Sequence, residues 1–189
     1  MKTQTKIIEA ADQLFYEHGF EATSFAHIAE VVNISRGNFY YHFKTKDEIL
    51  DAVILARLTR TESMLDQWEI EGDSAADRIK SFIKILIVNQ TKIMKFGCPV
   101  GTLSAELIKL DHNAQDDANK LFTLFRVWLK RQFETLGHNE NADQLAMHLL
   151  GRSQGVASLT NAFKDESYVQ SEVNQMCDWV DQLTLKQIH

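Results

Sequence analysis

The stretch Thr23 to Glu48, TSFAHIAEVVNISRGNFYYHFKTKDE, decides the fold, because it spaces out two short helices, a tight turn and the start of a third helix. Thr23 or Ser24 can cap the first helix, on which Ile28, Ala29 and Val32 recur at helical spacing. Asn33 tolerates the left-handed conformation that ends a helix, Ile34 plugs the turn, and Ser35 is a good N-cap for the next helix. That second helix begins at Arg36. Phe39 and Phe43 lie four apart and share its inner face, while Gly37, Tyr40 and Tyr41 project elsewhere.

The outer face of the second helix carries the functional reading. A glycine inside a helix costs about 1 kcal/mol relative to alanine, and close approach to another backbone is a reason to accept that cost at Gly37. A bare helix surface can sit deep in a major groove, which leaves Arg36 and Asn38 to read base edges, arginine suiting guanine and asparagine adenine. This is the layout of a helix-turn-helix. Tyr40, Tyr41 and His42 have the reach for phosphate contacts. Thr45 and Glu48 stand in capping-box spacing with Lys46 in the first turn, so this helix start offers amides and a cation to phosphate. The expected DNA-contacting set is Ser24, Ser35, Arg36, Gly37, Asn38, Tyr40, Tyr41, His42 and Lys46.

The run Ser35-Arg36-Gly37-Asn38-Phe39-Tyr40-Tyr41-His42-Phe43, then Lys46, comes after a helix ending at Gly19-Phe20 and the residues Thr23 and Ile28-Ala29. Together they resemble the N-terminal domain of the TetR family of transcriptional repressors. By motif the resemblance covers roughly the first quarter of the chain. It implies that Arg36, Gly37 and Asn38 face bases and that Tyr40, Tyr41, His42 and Lys46 hold the DNA backbone. It also implies a homodimer on a palindromic operator in double-stranded DNA, released by a small-molecule effector. Asn38 stands where a smaller residue is commoner, which affects the operator sequence and not the role. The alternative is a similar fold that has lost DNA reading and serves as a binding module.

Charge does not advertise a nucleic-acid partner. The whole chain carries a net charge of −6, and residues 1–50 hold five Lys and Arg against seven Asp and Glu. DNA reading therefore rests on where Arg36, Lys44 and Lys46 sit, and weak non-specific binding is expected. No apolar run is long enough to span a bilayer and no leader pattern precedes Thr3, so the expected location is the cytoplasm, with no membrane partner. Neither Cys98 nor Cys177 has metal-ligand spacing, the seven histidines are scattered, and no metal or cofactor is called for.

Beyond the quoted stretch the pattern is all-α. An opening helix carries Ile7, Ile8, Ala11, Leu14 and Phe15 on one stripe, and glycines punctuate the chain at Gly19, Gly72, Gly97 and Gly137. Further helices are expected at about residues 46–69, 74–95, from Pro99, at 113–136, at 141–163 and at 167–186. The reading divides the chain into a helix-turn-helix domain, 1–48, and a helical effector-binding and dimerisation domain, 49–189. Phe82, Leu86, Phe96, Cys98, Phe122, Phe125 and Trp128 are candidates to line the effector pocket, although their spacing equally suits a solid core.

Gly97-Cys98-Pro99 puts a thiol beside a helix start with Lys95 close in sequence, a setting that favours thiolate. Residues 97–107 also resemble a segment of a subset of TetR-like regulators, some of which sense thiol-reactive compounds. The last two helices read as a dimer interface through Leu149, Gly151, Gly155, Leu159, Val173, Trp179, Val180 and Leu183, pairing into a four-helix bundle. Gly151-Arg152-Ser153-Gln154-Gly155 fits the G-x-S-x-G pattern of serine hydrolases. The elbow needs a strand before Ser153, whereas residues 146–159 form one helical run, and only Asp165 and His189 would remain to complete a triad, so the chain is read as no enzyme.

Overall fold

The computed structural model describes residues 2–185, which form ten helices and no strand. They are α1 (Thr3–His18), α2 (Phe25–Val32), α3 (Arg36–His42), α4 (Lys46–Glu71), α5 (Ala75–Val88), α6 (Gln90–Phe96), α7 (Pro99–Lys109), α8 (Gln115–Thr135), α9 (Ala142–Phe163) and α10 (Glu166–Leu185). The all-α expectation holds. One expected helix, 74–95, is two. At Asn89 (φ −102°, ψ 8°) the amide side chain donates to the Ile85 carbonyl at 3.0 Å, a local bond that competes with helix continuation and separates α5 from α6. The expected end of α10 at Lys186 lies outside the described residues.

The chain packs as two compact units. The first runs to Arg60 and includes Pro99–Leu121; the second is Thr61–Cys98 with the chain from Phe122 onward. Helices α4 and α8 therefore contribute to both.

In the first unit the α1 stripe is buried as read, with Ile7, Ala11, Leu14 and Phe15 inside. They meet Ile28, Phe39 and Phe43 of the helix-turn-helix, Ile49, Leu50 and Val53 of α4, and Leu103 and Leu107 of α7 in one core. Burying each such side chain stabilises by about 1.5–3 kcal/mol. Gly19 ends α1 at φ +90°, and the buried Thr23 hydroxyl donates to its carbonyl at 2.7 Å. The largely buried Arg57 of α4 joins two further elements: its Nε donates to Asp12 of α1 at 2.6 Å and its Nη1 to the Pro99 carbonyl of α7 at 2.7 Å.

In the second unit α10 lies along α5 and α9. Leu149, Val173 and Val180, expected at a dimer surface, are instead buried in this protomer's own core with Ile83, Leu129 and Phe133. The correction has a simple cause: their apolar face is consumed where α9 and α10 meet the rest of the unit. Trp179 and Leu183 are half-buried, the indole edge-on to Phe133 with centroids 5.9 Å apart. At the C-terminal end of α4, Glu69 accepts from Arg131 at 2.6 Å and Gln132 at 2.6 Å and pairs with Arg78 at 2.9 Å. Burial works against its ionisation, but these donors and charges win and hold the carboxyl below the usual range.

Replacing Leu149 by alanine removes core and not surface. It should lower the unfolding free energy by about 2–5 kcal/mol in urea titrations. A loss under about 1 kcal/mol would return Leu149 to the surface.

Candidate nucleic-acid interface

The helix-turn-helix is capped as its sequence requires. The Ser24 hydroxyl accepts from the His27 amide at 3.2 Å, opening α2, and the Ser35 hydroxyl accepts from the Asn38 amide at 3.3 Å, opening α3. Asn33 ends α2 in the left-handed region (φ 56°, ψ 51°). Thr45 and Glu48 form a capping box at α4. The Glu48 amide donates to Thr45 Oγ1 at 3.1 Å, while the Glu48 carboxylate reaches back to the Lys44 amide at 2.7 Å, one residue earlier than the usual target.

With Phe39 buried beneath it, α3 turns Arg36, Gly37, Asn38, Tyr40 and Tyr41 to solvent. A β-carbon at Gly37 would meet nothing within 4 Å, so no neighbour in this chain requires the glycine. Phe25 packs edge-on against Phe39 (centroids 5.1 Å apart) and at a tilt against Tyr40 (5.6 Å). Those three rings, with Ala26, Ala29 and Arg36, line a crevice of about 180 Å³ on the same face. The Tyr40 ring is thus steadied at its apolar side. Tyr41, the most exposed aromatic of the group, and the half-buried His42 stand edge to face at 5.2 Å.

Lys46 is differently employed from what its place in the sequence suggests. Its Nζ donates to the carbonyls of Phe20 (3.0 Å) and Glu21 (3.2 Å) and lies 4.3 Å from the centroid of the Phe20 ring. Two of three ammonium protons are spent inside the chain, which leaves one for a phosphate. Lys44 stays exposed, its Nζ meeting the Tyr40 carbonyl four residues earlier. The sequence carries no signal for this reach: the Phe20 and Glu21 carbonyls lie 26 and 25 residues before Lys46, and the Phe20 carbonyl also accepts from the Thr23 amide at 3.2 Å.

The remaining candidates divide by burial. Phe82, Leu86, Phe125 and Trp128 are core, with Phe82 on Phe125 at 5.4 Å and Trp128 on Trp68 at 5.6 Å; Phe96, Cys98 and Phe122 are half-buried. Trp128 Nε1 and Gln132 Oε1, one turn apart on α8, are buried with no hydrogen-bond partner. Gly151, Gly155 and Leu159 are exposed on α9. Neither cysteine is in a disulfide. Burial pushes the Cys177 thiol up, with Lys84 and Lys80 pulling the other way. Ser153 is buried within α9 and donates to the Leu150 carbonyl at 2.7 Å, so the G-x-S-x-G match presents no nucleophile. Asp165 is held by the Ser167 and Tyr168 amides, and His189 lies outside the described residues.

Comparison with known proteins bears on this geometry. The family model described as "Bacterial regulatory proteins, tetR family" matches residues 7–53. An uncharacterized HTH-type transcriptional regulator in the lacX 3′ region of Lactococcus lactis subsp. lactis is 31% identical over 123 residues, 64% of this chain and 63% of that protein. The HTH-type transcriptional regulator TtgR of Pseudomonas putida is 36% identical over 74 residues, 34% of this chain and 35% of that protein. The matches thus span less than two thirds of either relative. The crystal structure of a TetR transcriptional regulator from Legionella pneumophila superposes with a TM-score of 0.84 at 26% identity, over 96% of this chain and 97% of that one. Proteins of this kind regulate transcription and are not enzymes.

Gly37→Ala separates fold from function. With open space at its β-carbon and a helical backbone, the variant should gain about 0.5–1 kcal/mol of stability while losing DNA affinity. Denaturant titration and electrophoretic mobility shift on one preparation check both signs. Unchanged affinity would leave the glycine without a functional reason.

Proposed function

Because this chain belongs to the TetR family of transcriptional regulators, we propose that it is a repressor that binds a palindromic operator as a homodimer and leaves it when a small molecule occupies its helical domain. The observation that carries the reading is the outer face of α3, where Arg36, Gly37 and Asn38 are exposed above a buried Phe39. Arg36 and Asn38 read base edges, and Ser24, Ser35, Tyr40, Tyr41 and His42 meet the phosphates with the remaining proton of Lys46. DNA reading belongs to residues 1–48, and effector binding and dimerisation to 49–189, in a protein that works in the cytoplasm.

The dimer surface is a row on α9. Met147, Gly151, Gly155, Leu159 and Phe163 recur every four residues, all exposed, and a β-carbon on either glycine would meet nothing within 4 Å. A ridge of this kind packs against its own copy about a two-fold axis, the glycines admitting close approach. Trp179 and Leu183 of α10, both half-buried, are the other candidates for this surface. A two-fold protein of this kind asks for a site whose two halves lie about 34–36 Å apart.

For the effector, the aromatic interior of the second unit supplies apolar surface, and Trp128 Nε1 with Gln132 Oε1 supplies a donor and an acceptor lacking partners. Such a lining favours a largely apolar molecule with one polar edge. Cys98, half-buried beside the start of α7, is the candidate position for a thiol-reactive effector, and packing of a small side chain is the other reading.

Selection of genomic DNA fragments on the purified protein, run beside an Arg36→Ala/Asn38→Ala double variant, tests the proposal. The expected result is an enriched palindrome that the variant does not select, each lost base contact being worth about 1–3 kcal/mol. No enrichment by a folded dimer would turn the reading towards a binding module without DNA recognition.

A further inference from the structure

The two-residue turn after α1 is held by one anion and one cation from distant parts of the sequence. The Glu106 carboxylate of α7 accepts from the Phe20 amide through Oε2 and from the Glu21 amide through Oε1, each at 2.9 Å, across 86 and 85 residues. Lys46 of α4 takes the carbonyls of the same two residues. All four backbone groups of the Phe20–Glu21 pair are thereby matched to charge, in bonds stronger than neutral ones. Gly19 makes room for the carboxylate: a β-carbon there would lie 2.9 Å from Glu106 Oε1.

We propose that Glu106 is a positioning residue for DNA reading, a role that rests on the regulator reading above. Its carboxylate is committed to the Phe20 and Glu21 amides, so it acts through them. By fixing the Phe20–Glu21 turn it fixes the path of the chain into α2 and the carbonyls on which Lys46 is anchored, and Lys46 opens α4 directly behind α3. The carboxylate is the negative group on these amides and Lys46 the positive group on their carbonyls, so loss of Glu106 frees the turn and loosens the lysine with it. Because α7 comes directly after Cys98 in the chain, the same carboxylate also ties the head to the helix that follows Gly97-Cys98-Pro99.

The test compares Glu106→Gln with wild type on the operator found by genomic selection, and follows Phe20 and Glu21 amide exchange by NMR without DNA. Ile83→Val, in the core of the second unit, serves as a control for general loss of stability. The expected result is exchange of both amides at least about tenfold faster and operator affinity at least about tenfold weaker in Glu106→Gln. The control should bind within about twofold of wild type.

Operator affinity close to that of wild type despite faster exchange overturns the role, as does an equal loss in Ile83→Val. If the wild type selects no DNA while its Phe20 and Glu21 amides are protected, the regulator reading fails and takes the positioning role with it, while the clamp itself stands.

Discussion

The reading head depends on the satisfaction of one short piece of backbone. Between α1 and α2 the chain leaves helical hydrogen bonding, and those of its polar groups that water cannot reach must find partners or cost about 1–3 kcal/mol each. Thr23 satisfies the Gly19 carbonyl, while Glu106 and Lys46 supply the amides and carbonyls of the next two residues. Everything that presents α3 is built on this turn, because it sets where α2 begins and so where Phe39 meets Phe25 and Ile28. Arg57 repeats the device one layer away, bringing Asp12 and the Pro99 carbonyl to one guanidinium.

Much of this was legible in the residues, and the rest was not for reasons of reach. Ser24, Ser35, Asn33 and Thr45 act within four residues of themselves, so capping chemistry identified them without a structure. The α1 stripe was equally plain from its period. Glu106 was not, since a carboxylate that serves amides 86 residues away leaves no local signal. Lys46 was assigned to phosphate because a cation beside the free amides of a helix start suits an anion; its ammonium is also taken by the Phe20 and Glu21 carbonyls, 26 and 25 residues away. Leu149, Val173 and Val180 show the ambiguity of an apolar stripe, which says that a face is covered and not by what. Asn89 broke a helix that hydrophobic periodicity would have carried through.

Electrostatics make the arrangement demanding. A head with more acidic than basic residues gains little from the general attraction of DNA, and two of its cations are occupied with carbonyls. Under the proposed reading, discrimination then falls on geometry, on the placement of Arg36 and Asn38 relative to a second copy. A weakly attracted protein tolerates little misplacement, because it has no electrostatic surplus to absorb the loss.

The interleaved composition of the first unit has a consequence for how the protein is made. Its core draws on α1 to α4 and again on Leu103, Leu107, Ala114 and Ala118, so the ribosome releases the helix-turn-helix long before the side chains that complete its interior. At about 5–20 residues per second, several seconds separate Phe20 from Glu106. During that interval Ile7, Phe15 and Phe20 have an unfinished pocket to occupy. Closing it spans a long loop, an entropic cost that slows the step. Excising the helix-turn-helix as a peptide would leave it permanently in that state, and a nascent chain interrupted before Leu121 exposes the same apolar surface to chaperones.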